Sequence, residues 1–444
     1  MNIPVHRFEM GRRRFLQSCG AADHDLSRRA FFGSMAGVLA GSTLGLNALA
    51  APTVVEKLKK DQKHAILIFL GGGASQFETW DPKPGTDTGG PFQSIKTSVP
   101  GVHISELMPE MAKRLSKHTA IIRSLSTVEL DHNGVKLLGG ERTDVAGIKM
   151  PTLGSILSKE LSQTDSAVPD HVAYFNTKNG ANFLDSAGFL ASRYEPTNLF
   201  SRVRPQANVL PPAMTDTDHL ERASLRDQLS QEFLIGRQRD SILQSHGTAY
   251  GRVRGLMASD SIFDISKEPQ KVLDRYGNTL FGQQALAACR MVEAGVPFVK
   301  LLRGWWDTHT DNFDVHAQLV PHLDRVMSVL LDDLEERGLL KSTLVVTFSE
   351  MGRTPTINSA RGRDHWGKCW SVTLSGCGIK PGAVYGKTNA KGTEVTEGKV
   401  TAVEFFATIF AALGIDHQKD YHTPDGRPVP ITPYGTEPIK DILV

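Results

Sequence analysis

Ala65-Ile66-Leu67-Ile68-Phe69-Leu70, closed by Gly71-Gly72-Gly73, is the stretch on which the reading of the fold turns. Six apolar residues in a row, with no polar alternation and three glycines after them, describe a strand buried on both faces. The pattern repeats outward from it. A helical stretch Leu107–Leu115 leads into strand Thr119–Arg123 and a polar loop with Asp131-His132-Asn133. Further on, helix Gln283–Glu293, stopped at Gly295, precedes strand Pro297–Leu302 and the loop Gly304-Trp305-Trp306-Asp307-Thr308-His309. Leu323, Met327, Leu330, Leu331 and Leu334 then recur at helical spacing, and strand Thr343–Phe348 runs into Ser349-Glu350-Met351-Gly352-Arg353. Strand, helix, strand within so short a length is a crossover unit, which implies parallel neighbours and helices on the sheet faces. The expected fold is therefore α/β, a mixed, mostly parallel sheet with helices on both faces. The stretch from 170 to 275, turn-rich apart from a polar helix at Leu220–Arg237, reads as an insertion or cap. Thr401–Leu413 reads as a last helix with a broad apolar face.

The chain has 444 residues, 40% hydrophobic and 22% charged, which fits a globular protein and excludes a disordered, collagenous or polytopic membrane one. Residues 1–50 hold six arginines, no lysine and three acids; the remainder carries 44 basic against 45 acidic side chains. With no basic surplus outside the leader, nucleic acid is not an expected partner. Ser27-Arg28-Arg29-Ala30-Phe31-Phe32, a Gly- and Ala-rich apolar run, and Ala48-Leu49-Ala50 together read as a twin-arginine signal peptide over 1–50. A linker follows over 51–63, then one domain over 64–440. The expectation is export by the twin-arginine machinery to the periplasm or beyond. No stable membrane span is left after cleavage; retention of the leader as an anchor is the alternative. Cys289, Cys369 and Cys377 make no CxxC, so any metal must rely on imidazole and carboxylate.

The chemistry-bearing residues fall just past the strand ends: Glu78 and Asp81 after Gly71–Gly73, then Asp131 and His132, Asp307 and His309, and Glu350 with Arg353. In open α/β sheets ligands bind at the carboxyl edge, so these loops should converge on one crevice. Asp364-His365 precedes a further strand, Cys369–Leu374, with Asp364 read as an orienting neighbour. Histidine and carboxylate without thiolate suit Zn²⁺ or Mn²⁺. Each position has a plainer alternative: Asp307 and His309 as a helix-capping turn, Glu350 paired with Arg353, His365 bonded to backbone. Gly382–Thr388 is one residue short of a P-loop, and no Gly-x-Ser-x-Gly elbow occurs.

The leader together with "FLGGGASQFETWDPKP", "RYGNTLFGQQALAACRMVEAGVPFVKLLRGWWDTHTDNF", "TLVVTFSEMGRTP" and "GRDHWGKCWSVTLSGCGIKPG" resembles the exported bacterial domain of unknown function 1501 family, grouped with the alkaline phosphatase-like superfamily. The resemblance implies an alkaline phosphatase-like sheet with a metal site at its strand ends. It implies Asp307, His309 (His316 as fallback), Glu350 and His365 as ligands, and one ion rather than two, since Met351 and Gly71–Gly73 stand where that superfamily has further ligands. His132 is left as general acid or base. The function so implied is an exported metal-dependent hydrolase of phosphate or sulfate esters, small or polysaccharide, but not a formylglycine sulfatase. The alternatives are a non-catalytic exported metal-binding or carbohydrate-associated protein, and a redox enzyme, for which only the leader speaks.

Overall fold

A computed structural model describes residues 62–444 other than 143, 145–146, 164–167, 177–179, 191, 206–214 and 235–259. The expected leader, its expected cleavage site and the linker up to residue 61 lie outside the described residues. Strand β1 (His64–Leu70) is buried along its whole length. It occupies the middle of a nine-stranded sheet completed by β2 (Thr119–Ser126), β3 (His171–Asn176), β4 (Thr197–Phe200), β5 (Phe298–Arg303), β6 (Thr343–Ser349), β7 (Trp370–Gly376), β8 (Val384–Tyr385) and β9 (Val400–Thr401). The order is β8-β2-β7-β6-β1-β5-β3-β4, with β9 also on β2. Only β7 pairs antiparallel with its neighbours, β6 and β2. All other pairings are parallel.

The register levels the functional ends. Leu70 lies opposite Arg303 on one side and Ser349 on the other, so β1, β5 and β6 release their loops at one edge. Because β7 is reversed, β2 delivers its own C-terminus to that edge, and the segment before Trp370 arrives there too.

Alternation along the strands splits the apolar side chains between two cores. Ile66, Ile68, Val299 and Leu301 pack with α1 (Pro109–His118), α4 (Leu280–Glu293) and α5 (Asn312–Glu336). Leu67, Phe69, Phe298 and Leu302 face α3 (Leu153–Leu161) and α6 (Ala402–Ala412), with Leu137 and Leu138 from the short α2 (Gly134–Leu138). Each large apolar side chain so buried contributes about 1.5–3 kcal/mol. Helix α6 starts with a complete capping box, Thr401 to Glu404, which satisfies two otherwise open N–H groups.

Several expectations need correction. The stretch 170–275 is not wholly an insertion: His171–Asn176 and Thr197–Phe200 extend the main sheet to its edge. Its polar helix runs over Asp216–Leu234, and Arg237 falls outside the described residues. Helix α5 is longer than the leucine repeat suggested, beginning at Asn312 and passing through Pro321. The Gly382–Thr388 segment is a turn at Gly386 (φ 74°) between two-residue strands, as its sequence indicated. The three described cysteines are free thiols and buried. Among the described residues no helix is long and apolar enough to cross a membrane.

Candidate metal centre

Glycines 71–73 supply no side chain to the edge; they let two loops touch. At Gly72 φ is 116°, and a Cβ there would stand 2.4 Å from the Asp307 nitrogen. The Gly72 N–H donates to Glu350 Oε1, and the Gly72 carbonyl accepts from Arg353 Nη2. The absent side chain thus brings the end of β1 against the loops after β5 and β6.

Around Asp307 stand three imidazoles. His132 places Nε2 at 3.2 Å from Asp307 Oδ2 and Nδ1 at 3.0 Å from Glu350 Oε1. His309 places Nε2 at 3.2 Å from Asp307 Oδ1 and Nδ1 at 2.7 Å from Asp364 Oδ1. His365 places Nε2 at 3.4 Å from Asp307 Oδ1 and Nδ1 at 2.6 Å from the Leu130 carbonyl. Carboxylate and carbonyl oxygens have no proton to give, so each Nδ1 donates; each Nε2 faces the Asp307 carboxylate, and either a proton on that nitrogen or a metal ion must bridge the two. The Nε2 atoms of His309 and His365 are 3.0 Å apart. Two lone pairs at that distance repel unless a proton or cation lies between them. One ligand atom each from His132, Asp307 and His365 falls within 4.8 Å of the other two.

The electrostatics point the same way. Hydrogen bonds donated to Asp307 and Glu350 push the His132 imidazole up to about 10 against its burial, so this position favours positive charge, carried by a proton or by a metal ion. Burial raises the Asp307 carboxyl, but His132, His365 and Arg353 outweigh it and hold the group far below the usual carboxylate range. Glu350 is buried, and its Oε2 has no hydrogen-bond partner. An orphaned carboxylate oxygen is costly unless a cation lies near. The donor set of imidazoles and one carboxylate fits a divalent ion.

Of the residues named from the sequence, Asp307, His309 and His365 are brought together. Glu350 sits on the far side of the His132 ring from Asp307, and His132, read as an acid or base, stands inside the cluster. Asp364 holds His309. Arg353 is fully buried and pairs with Asp307 (2.7 Å), not with Glu350 as the plainer alternative had it; its other donors go to the Gly72, Gly73 and Arg363 carbonyls. Glu78 is buried against Arg363, at 3.0 Å, away from the rim. Asp81 is engaged by Lys83 and Thr388. Asp131 is exposed, and among the described residues no hydrogen bond ties its carboxylate to the cluster. His316 is excluded as a fallback: Nε2 accepts from the Ser75 N–H and Nδ1 donates to the Asn312 carbonyl, leaving no lone pair. Sequence reasoning missed the Leu130 carbonyl, which carries no sequence signal, and the contact role of Gly72, which its place in a glycine triplet at a strand end does signal.

Solved structures similar to this chain include a protein in the alkaline phosphatase superfamily from Vibrio parahaemolyticus (9% identity, TM-score 0.36, 80% of this chain and 67% of that one). They also include the PsFucS1 sulfatase from Pseudoalteromonas sp. (13%, 0.37, 81% and 69%). A third is the C-terminal periplasmic domain of EcEptC from Escherichia coli in complex with Zn (9%, 0.39, 85% and 96%). No curated protein matches the sequence. The model of one family, described as "Protein of unknown function (DUF1501)", matches residues 62–443, and with most of its length so covered, the chain belongs to the DUF1501 family.

Proposed function

We propose that this chain is an exported, metal-dependent hydrolase of phosphate or sulfate esters, with one divalent ion held by Asp307, His132, His309 and His365. The observation that carries the reading is the common orientation of three imidazoles, each anchored through Nδ1 and each aiming Nε2 at one carboxylate. Zn²⁺ and Mn²⁺ suit these donors, and such an ion supplies Lewis acidity toward an ester oxygen and lowers the pKa of bound water. Glu350, Asp364 and the Leu130 carbonyl fix the rings, which preserves ligand basicity and geometry. Arg353 neutralises part of the Asp307 charge from the buried side, which argues for one ion and leaves the exposed side for substrate. Export rests on the twin-arginine leader alone.

A non-catalytic metal-binding role is the second reading. What favours it is that, among the described residues, no serine, threonine or cysteine side chain is hydrogen-bonded to His132, Asp307, His309 or His365. Turnover by the metal-loaded protein on a panel of phosphate monoesters, phosphodiesters and sulfate esters separates the two. Hydrolysis of at least one class, abolished by a chelator and restored by Zn²⁺ or Mn²⁺, is expected; bound metal with no turnover on any class would favour the second reading.

A further inference from the structure

Three residues past α2 stands Glu141, a half-buried acid whose backbone has φ 56°. A left-handed backbone is unusual for any residue but glycine and persists only where its surroundings impose it. Here the Gly140 N–H donates to the Leu137 carbonyl at 2.8 Å and the Glu141 N–H to the Lys136 carbonyl at 3.0 Å, so the chain folds back past the short helix. The Glu141 side chain then meets residues 13 and 12 positions earlier: its Oε1 accepts the N–H groups of Val128 and Glu129, both at 2.8 Å.

Those two N–H groups open the loop that carries the Leu130 carbonyl and the His132 ring. Among the described residues no backbone carbonyl takes the N–H of Val128, Glu129, Leu130 or Asp131. The Asp131 N–H goes instead to Glu129 Oε1, at 3.1 Å, and Glu129 Oε2 pairs with Lys136 of α2, at 2.8 Å. Apolar burial does not hold the loop either, since Val128 is 81% and Leu130 41% exposed. Its far end is fixed: Asn133 Oδ1 accepts the Lys136 N–H at 3.1 Å, and Leu137 and Leu138 seat α2 in the core. Leu130, Asp131 and His132 therefore span between two fixed points, and the first of these is the Glu141 carboxylate. Charge-assisted bonds of this kind are stronger than neutral ones, so a single side chain can hold an otherwise unsupported backbone.

We propose that Glu141 is a positioning residue of the metal centre. By fixing the backbone at 128–129 it sets where the Leu130 carbonyl meets His365 Nδ1, at 2.6 Å, and where His132 stands between Asp307 and Glu350. Two imidazoles from separate segments thus depend on one carboxylate that touches neither. The backbone at φ 56° has its reason on the same ground: glycine would turn the chain more easily but leave the two loop N–H groups without their acceptor. The inference rests on the metal-centre part of the hydrolase reading and does not require turnover.

The test compares Glu141→Gly, Glu141→Gln and Glu141→Asp in the purified full chain. It measures equilibrium unfolding of the metal-free protein, Zn²⁺ affinity by titration calorimetry and the visible spectrum of bound Co²⁺. Glu141→Gly suits the left-handed backbone, so its unfolding midpoint should stay near that of the unmodified protein. Its Zn²⁺ affinity should nevertheless fall by about tenfold or more, the scale of losing an orienting partner, and its Co²⁺ spectrum should change. Glu141→Gln keeps an acceptor at the same reach and should hold Zn²⁺ affinity within about threefold. Glu141→Asp keeps the charge but falls one methylene short, and its affinity should lie between the other two. As a control, Tyr276→Phe removes a buried bond to Asp333, at the end of α5 away from Asp307, and should lower stability while Zn²⁺ affinity and the Co²⁺ spectrum stay unchanged.

Zn²⁺ affinity that stays within about threefold of the unmodified value in Glu141→Gly would overturn the role. So would an equal fall in Glu141→Gln and Glu141→Gly, since charge at a distance would then be acting in place of the bonds to the loop. If Glu141→Gly does not fold, the other pair decides: weaker binding by Glu141→Asp than by Glu141→Gln supports the role, and the reverse order overturns it. An unmodified chain that binds neither ion would remove the metal centre and this role with it. Bound metal that responds to Glu141 as expected, without ester hydrolysis, would leave the role standing and remove only the hydrolase reading.

Discussion

His132 lies between two carboxylates, and which of its nitrogens meets which one decides its role. Glu350 takes Nδ1 and Asp307 faces Nε2, so Glu350 acts on the metal through the ring between them. Glu350→Gln keeps an oxygen able to accept from His132 Nδ1 and the Gly72 N–H but loses the charge. Metal affinity should fall by about 10- to 100-fold, the usual cost of losing an orienting partner, without vanishing; calorimetric metal titration checks this. Complete loss would make Glu350 a direct ligand. The sequence placed Glu350, Asp307 and His365 at the right edge of the sheet, because strand ends are legible from apolar runs. It did not separate ligand from orienting residue, because that depends on a ring's rotation of a few ångströms, which no spacing encodes.

At the scale of elements, the loops meet through Gly72. Gly72→Ala places a Cβ 2.4 Å from the Asp307 nitrogen at φ 116°, where both sterics and backbone strain oppose it. A loss of about 1–3 kcal/mol in denaturant unfolding is expected, together with weakened metal binding as the Asp307 loop is pushed away. Gly71→Ala, whose Cβ would make ordinary contacts with Phe183 at 3.4 Å and Leu302 at 3.7 Å, should cost much less. Helix α1 offers a second test. Asp324 of α5 accepts the N–H groups of Met111 at 2.7 Å and Glu110 at 2.9 Å, filling the open end of α1. Burial pushes this carboxyl up to about 6 in spite of those bonds. With the folded value above the unfolded one, the folded state holds the proton more tightly, so Asp324 lowers stability as pH rises from about 4 to about 6. The difference in unfolding free energy between the unmodified protein and Asp324→Asn should therefore shift against the unmodified protein by about 1–3 kcal/mol across that window and stay flat above it. The α1–α5 contact had no sequence signature, since one aspartate among the acids of a long amphipathic helix looks solvent-facing until its partner helix is placed.

For the whole molecule, the two faces of the sheet are not equally apolar. Lys300 stands in the middle of β5, fully buried, with Nζ at 2.8 Å from Asp185 Oδ2 and 2.5 Å from the Phe183 carbonyl. Burial alone would raise the Asp185 carboxyl, but Lys300 and His171 hold it well below its ordinary value. The pair fastens the segment after β3 to the sheet. Lys300→Met should cost about 3–5 kcal/mol by stranding a buried carboxylate, and Lys300→Met with Asp185→Leu should recover much of it; equilibrium unfolding of the three variants reads this directly. The apolar runs made β1, β5 and β6 legible, and their order around the sheet follows from crossover logic. Strand β3 and the edge strand β4 were hidden by the turn-rich sequence around them, and the sequence carries no sign of the Lys300 pairing because its partner lies 115 positions away.

The central claim is that Asp307, His132, His309 and His365 hold one divalent ion, and elemental analysis of the purified protein tests it most directly. After equilibration with Zn²⁺ or Mn²⁺ and removal of free metal, the unmodified chain should carry one ion, and Asp307→Asn, His309→Ala and His365→Ala should each carry less than about a tenth of that, given the share of the binding free energy that one ligand of four supplies. Full occupancy in Asp307→Asn and His365→Ala, or an unmodified chain that retains neither metal, would contradict the account.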